Sequence, residues 1–188
     1  EKLKGSGARD LMSVGEIVYF TSAEGGGELW RSDGTQGGTY MVKEIGPGGT
    51  SGYVHQLTNV NGTLFFRARD SVAGHELWKS DGTAAGTVRL KDIRAGSASS
   101  MPTNLTNING TLYFLAELSS SISLWKSDGT AAGTVSVRGF SSSQALFSPP
   151  ELVNVAGVLF LSINNSDYGR ELWKSNGTAL GTVLVRDI

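Results

Sequence analysis

Four tryptophans fix the organisation of this chain. Trp30, Trp78, Trp125 and Trp173 lie 48, 47 and 48 residues apart, and each stands inside nearly the same eight-residue string. The first copy reads Glu28-Leu29-Trp30-Arg31-Ser32-Asp33-Gly34-Thr35. The others run over 76–83, 123–130 and 171–178, with Ser123 in place of Glu and Asn176 in place of Asp. A repeat this long and regular implies one supersecondary unit built four times, each burying its apolar surface against the next.

Within the second unit four segments, 56–60, 63–68, 76–80 and 87–91, are rich in β-branched and aromatic residues and are bounded by turn residues, which predicts four short strands. Asn61-Gly62 separates the first two and predicts a type I′ hairpin, because both central residues of that turn need positive φ. Asn109-Gly110 repeats the signal, and Gly15 and Ala156-Gly157 take the same place in the outer units. Residues 80–87 join the third strand to the fourth. There the side chain of Asp81, like those of Asp33, Asp128 and Asn176, is suited to accept backbone N–H groups while the next glycine turns the chain, so these four read as structural, as do the tryptophans.

Four antiparallel strands in a period of about 47 residues predict the blade of a β-propeller. The expected fold is all-β, a single repeat domain over 1–188 with four four-stranded blades at about 8–45, 54–93, 102–140 and 150–188. These would form a closed four-blade ring or part of a larger or oligomeric one. Tyr19-Phe20, Phe65-Phe66, Tyr113-Phe114 and Leu159-Phe160, with the tryptophans, are expected to fill the space between blades. The terminal residues 185–188 match a segment that elsewhere leads straight into another unit, so a longer parent chain is expected. Glu1-Lys2-Leu3-Lys4 resembles Arg89-Leu90-Lys91 and is a candidate to pair with a neighbouring blade or a second molecule.

The string Glu76-Leu77-Trp78-Lys79-Ser80-Asp81-Gly82-Thr83 resembles the defining motif of the ELWxxDGT repeat proteins, which are mostly large bacterial proteins of the cell surface or the secreted fraction. The resemblance covers nearly the whole chain. The departures are Arg31 for Lys, Ser123 for Glu and Asn176 for Asp. It implies a tandem β-repeat architecture and an extracellular or cell-surface location, and it supplies no catalytic residues.

Charge and composition narrow the function. With 16 basic and 17 acidic residues spread along the chain, and a net charge of −1, no charged block marks a nucleic-acid surface. There is no cysteine, hence no disulfide, thiolate metal site or cysteine nucleophile. No apolar run reaches the ~20 residues of a membrane helix. Neither His55 nor His75 stands in a metal-binding spacing, and no nucleophile elbow or phosphate loop is present. Repeated carboxylates such as Glu28, Glu76 and Glu171 argue against catalysis, which needs acids in distinct environments.

Strand parity places the uniform turns on one face of each blade and the variable segments on the other. The variable segments are the loops 22–27, 70–75, 117–122 and 164–170 and the links 46–55, 94–104 and 141–151. Loops on a rigid scaffold carry binding groups. Tyr53, His55, Arg69, Asp70, Asn104, Glu151, Tyr168 and Arg170 are therefore the candidate ligand-binding residues, with Met101 and Phe147 also on the links. No cofactor is required. Calcium is the metal that the oxygen ligands Asp70, Glu76, Asp167 and Glu171 would suit. The expected function is a non-catalytic extracellular binding or scaffolding module, serving adhesion, recognition or assembly. A carbohydrate-binding propeller is the first alternative and the accessory domain of a secreted enzyme the second. Expected partners are an extracellular glycan, a protein surface or further copies of the repeat in a homo-oligomer.

Overall fold

The computed structural model describes residues 7–22, 26–48, 51–119, 121–141 and 150–187. Glu1-Lys2-Leu3-Lys4 and Phe147 lie outside the described residues. The chain divides into two compact units, Glu1–Ser99 and Ser100–Ile188.

The first unit holds two sheets. One is β1 (Ala8–Val14), β2 (Ile17–Ser22), β3 (Glu28–Ser32) and β4 (Tyr40–Lys43); the other is β5 (His55–Val60), β6 (Thr63–Arg69), β7 (His75–Ser80) and β8 (Val88–Lys91). Each is an antiparallel meander in chain order. The second unit repeats the plan with β9 (Thr103–Ile108), β10 (Thr111–Leu118), β11 (Ser121–Ser127) and β12 (Val135–Ser141), followed by β13 (Glu151–Val155), β14 (Val158–Asn165), β15 (Gly169–Ser175) and β16 (Val183–Arg186). We number these sheets blades 1 to 4. Asn61, Gly62, Asn109, Gly110, Ala156 and Gly157 all take positive φ, as the type I′ turn demands. In blade 1 only Gly15 does, at +59°, matching the φ signs of a type II′ turn.

Inside each unit one face of the earlier blade packs on the opposite kind of face of the later one. In the first unit Tyr19, Leu29 and Val42 of blade 1 share a core with Leu64, Phe66 and Trp78 of blade 2. In the second, Tyr113, Leu124 and Val137 of blade 3 share one with Leu159, Leu161 and Trp173 of blade 4. Each large side chain buried this way stabilises the fold by roughly 1.5–3 kcal/mol. Phe20, Phe66 and Phe114 stand directly across the ladder from Trp30, Trp78 and Trp125, with ring centroids 6.2, 6.4 and 6.2 Å apart. The fourth pair requires a correction. Leu161, not Phe160, faces Trp173, so the equivalent of Phe65-Phe66 is Phe160-Leu161 rather than Leu159-Phe160. The Ala156-Gly157 turn sets this register, because Leu161 lies as far from Gly157 as Phe66 does from Gly62.

The turn after the third strand is a closed network that recurs four times. In blade 2, Asp81 Oδ1 accepts from the Thr83 N–H and hydroxyl at 2.9 and 2.8 Å, and Ser80 Oγ accepts from the Gly82 N–H at 2.9 Å. Thr83 Oγ1 accepts from the Gly86 N–H at 2.9 Å, and the Thr87 hydroxyl closes back on the Thr83 carbonyl at 2.6 Å. Asn176 supplies the same acceptor to Thr178 at 3.0 and 2.8 Å. Only an oxygen is needed there, so Asn replaces Asp at no cost to the network. These bonds hold the Asp33 and Asp81 carboxyls below their ordinary range, the Thr35 and Thr83 donors being the main cause.

The glutamate of the motif is an internal cap. Glu28 is fully buried, and its two oxygens accept from the Ile45 and Gly46 N–H groups at 2.8 and 2.9 Å. Glu76 is likewise fully buried and accepts from the Ile93 N–H at 2.9 Å. These donors are the backbone groups freed where the fourth strand leaves its sheet, and buried backbone donors must be paired. Blade 3 has Ser123 instead, and there β12 stays in the ladder through Gly139, Phe140 and Ser141. Glu28→Ala strips the Ile45, Gly46 and Gly52 N–H groups of their acceptor and is expected to cost at least about 3 kcal/mol, at ~1–3 kcal/mol per unsatisfied group. The check is the urea midpoint of the Glu28→Ala variant, with exposed Glu16→Ala as the control that stays within about 0.5 kcal/mol of the parent.

Candidate functional site

In the first unit the loop after β6 and the link before β5 form two adjoining clefts. One, of about 430 Å³, is lined by Ser51, Tyr53, Arg69, Asp70, Val72 and Ser97 among others. The second, of about 300 Å³, shares Ser51 and Tyr53 and continues to Arg9, Thr21 and His55. Four of the candidates read from the sequence, Tyr53, His55, Arg69 and Asp70, thus converge on one surface.

Backbone contacts hold this surface in shape. The link crosses the loops through Val54 N–H to the Gly27 carbonyl at 3.0 Å and Arg69 N–H to the Gly52 carbonyl at 2.8 Å. Gly52 is fixed by close approach, because a Cβ there would lie 2.6 Å from the buried Glu28 carboxylate. Tyr53 follows at φ +45°, and this turn sends its ring outward, 47% exposed. The Ser51 hydroxyl donates to the Gly26 carbonyl and accepts from the Tyr53 N–H. The Tyr53 ring meets His75 edge-on, with centroids 5.6 Å apart.

The polar groups leave the clefts cationic. Asp70 is already engaged: Oδ1 accepts from the Val72 and Ala73 N–H groups at 2.9 and 2.6 Å, and Oδ2 pairs with Arg89 at 2.7 Å. Asp10 pairs with His55 Nδ1 at 3.1 Å. Arg69 is exposed, and Arg67, across the ladder from His55, has a buried Nε with no hydrogen-bond acceptor among the described residues. Burial pushes the His75 pKa down, and the charges of Arg67, Arg69 and His55 push it further. Burial also lowers that of Arg67. His75, Arg67 and Ser51 were not among the sequence candidates. Blade 2 alone has arginine at both of these β6 positions, whereas blade 3 has Leu115 and Glu117 and blade 4 has Ser162 and Asn164.

The remaining candidates lie in the second unit. Arg170 reaches Glu151 at 3.9 Å and donates through Nε to Ser162 Oγ at 3.0 Å. Tyr168 packs edge-on against Trp173 with centroids 6.4 Å apart. Asn104 sits at φ +55° in the bulge of β9, its carbonyl accepting from the Thr106 hydroxyl at 2.8 Å, and Met101 takes φ +47° at the position equivalent to Tyr53. The oxygen ligands considered for calcium fall two to a blade. Asp70 and Glu76 belong to blade 2 and are occupied as described, while Asp167 and the buried Glu171 belong to blade 4. Among the described residues no three His, Asp or Glu side chains gather to hold a metal ion.

Two outcomes follow from these side-chain environments. A chelator is expected to leave the melting temperature unchanged, since Glu28 and Glu76 are met by backbone donors and Asp70 by Val72, Ala73 and Arg89. The folded state disfavours protonation of His75, so its contribution to stability is complete above the ordinary imidazole pKa of 6.5 and is lost as pH falls through the lower folded value. Melting temperature should therefore decline on acidification from pH 6.5, and His75→Gln should reduce that slope; an identical slope in the variant would show that His75 does not titrate in this way.

No protein-family model matches the sequence, and a search of curated proteins finds no relative. Solved structures do resemble the fold. A mutant puromycin hydrolase crystallised with a ligand matches 96% of this chain at 14% identity and a TM-score of 0.55, the match spanning 30% of the hydrolase. An exo-β-1,3-galactanase from Phanerochaete chrysosporium matches all of the chain at 12% identity and a TM-score of 0.48, over 51% of its own length. An α-L-arabinofuranosidase from Clostridium thermocellum matches 95% of the chain at 12% identity and a TM-score of 0.44, over 71% of its length. The chain thus spans well under two thirds of the first two proteins. The likeness to the hydrolase, together with the four antiparallel four-stranded sheets, identifies the fold as an all-β propeller.

Proposed function

We propose that the chain is a non-catalytic recognition module, of the ELWxxDGT repeat kind and working outside the cell, which binds an acidic glycan in the paired clefts of the first unit. The observation that carries this reading is the half-exposed Tyr53 ring, set between Arg69 and His55 on a surface whose carboxylates, Asp10 and Asp70, are already paired. An aromatic ring offers its face to the apolar side of a pyranose, and arginine binds carboxylate or sulfate through a planar fork. The fixed link at Gly52 and Ser51 pre-organises the ring, which lowers the entropy cost of binding.

A non-catalytic role is supported by the use made of the recurring acids. Glu28 and Glu76 cap backbone donors in the interior, and Asp33, Asp81 and Asp128 hold turns. None of these carboxylates is placed beside the Tyr53 clefts as a free acid–base pair.

Binding is expected to fall about tenfold in Tyr53→Ala and, for sulfated or uronic-acid glycans, about tenfold in Arg69→Ala, which corresponds to roughly 1.4 kcal/mol each. Neutral glycans should be indifferent to Arg69→Ala. The measurement is a glycan array followed by calorimetry at two salt concentrations. Binding of acidic glycans that neither substitution weakens would remove this cleft as the site, and absence of glycan binding would remove the carbohydrate reading.

A further inference from the structure

The two clefts of the first unit share a wall. Ser51 and Tyr53 are the described residues that line both, whereas Arg69 and Val72 belong to the larger cleft alone and Arg9 and Thr21 to the smaller alone. Each side of that wall is tied down. Toward the smaller cleft, the Val54 N–H donates to the Gly27 carbonyl at 3.0 Å and the Ser51 hydroxyl donates to the Gly26 carbonyl. Toward the larger, the Arg69 N–H donates to the Gly52 carbonyl at 2.8 Å. Tyr53 holds φ +45°, a left-handed conformation that a residue with a side chain keeps only where its surroundings impose it. The tyrosine is therefore a fixed element common to both cavities, and its ring is half exposed.

Each cleft has its own arginine, and neither arginine is in an ion pair among the described residues. Register shows where they stand. Arg69 lies directly across the ladder from His75, whose ring meets Tyr53 edge-on, so residue 69 is on the Tyr53 side of blade 2. Arg9 lies directly across from Thr21, which lines the smaller cleft, so residue 9 is on the cleft side of blade 1. Both are exposed. The nearby carboxylates are spent elsewhere, Asp70 on Val72, Ala73 and Arg89, and Asp10 on His55. At about 430 and 300 Å³ the cavities stand at the small end of the range for ligand pockets, ~300–1,000 Å³. A chain of sugars fills them only by spanning both.

Building on the acidic-glycan reading of these clefts, we propose that their ligand is a linear acidic oligosaccharide lying across Tyr53, with one anionic unit on Arg69 and a following one on Arg9. A single acidic sugar engages one arginine and one cleft. A chain engages both. Once its first unit is held, the next meets the second cleft at a high effective concentration, so affinity climbs with chain length although each contact is of the same kind. Two arginines on either cleft of one rigid tyrosine thus select a polyanionic chain over a lone acidic sugar. Uronic acids and sugar sulfates share the required chemistry, because the guanidinium fork accepts either group.

The test is calorimetry of the 188-residue protein with galacturonic acid oligomers of one, two and four units, and separately with sulfated glucose oligomers of the same lengths. Affinity is expected to rise at least about tenfold from the single unit to the longer chains in one series or both, and the two arms tell carboxylate from sulfate. Arg9→Ala and Arg69→Ala should each abolish that rise and bring the four-unit chain down to the affinity of the single unit. Both arginines are exposed, so an unchanged melting temperature is expected and shows that the variants are folded. Equal affinity for one and four units, or a rise that survives Arg9→Ala, overturns the chain-spanning proposal and leaves the acidic-glycan reading standing. No binding in either series at any length also overturns it, and the carbohydrate reading falls with it only if the glycan array is blank as well.

Discussion

The architecture depends on what happens to backbone N–H groups when the fourth strand of a blade must leave its sheet and cross to the next. Leaving the ladder strips donors of their carbonyl partners inside the protein, where an unpaired donor is expensive. Glu28 solves this with one carboxylate for two N–H groups, and Glu76 places its carboxylate at the corresponding exit. Burial raises the pKa of Glu28, opposed by the backbone donors at Ile45, Gly46 and Gly52. Removing the glutamate from this position demands a different exit. Blade 3 provides it by keeping β12 paired for longer and burying Phe140.

The strands, the turns and the role of the repeated residues were legible because each has a local cause. Asn-Gly specifies positive φ at two successive residues, and the Ser-Asp-Gly-Thr string contains both the donors and the acceptors of its own network. The bulges in the first strands were not legible. Asp10, Gln56 and Asn104 adopt φ of +51°, +62° and +55° at equivalent places, yet share no residue type that announces it. There the conformation is imposed by the neighbouring strand and the incoming link, which no local pattern encodes. The slip at Leu159-Phe160 had a simpler origin, since matching aromatic to aromatic ignored the distance from the turn that sets the register.

For the candidate site, parity separated the loops and links from the uniform turns, and Tyr53, His55, Arg69 and Asp70 were legible as variable positions among them. Their grouping was not, because it depends on the ladder that sets Arg67 opposite His55 and Arg69 opposite His75. Nor did the sequence reveal that Asp70 spends its oxygens on Val72, Ala73 and Arg89, which turns a candidate metal ligand into a brace for the loop. Glu151, Tyr168 and Arg170 were equally variable, and Tyr168 lies against the core residue Trp173 instead of lining a cleft.

The repeated string serves two levels of structure with the same atoms. Inside a blade the side chains of Ser80, Asp81 and Thr83 satisfy the turn's N–H groups and thereby leave the carbonyls of Gly82 and Thr87 pointing outward without an internal donor. Those carbonyls are what Arg31 and Lys43 of the preceding blade bind. A turn that used its carbonyls internally would offer nothing to a neighbour, and one that left its N–H groups open would lose the fixed geometry that makes the carbonyls a target. Uniformity of the motif is therefore a requirement of stacking as much as of turning. It also explains why the variable chemistry is confined to the opposite face, where the links and loops can change without altering how one blade recognises the next.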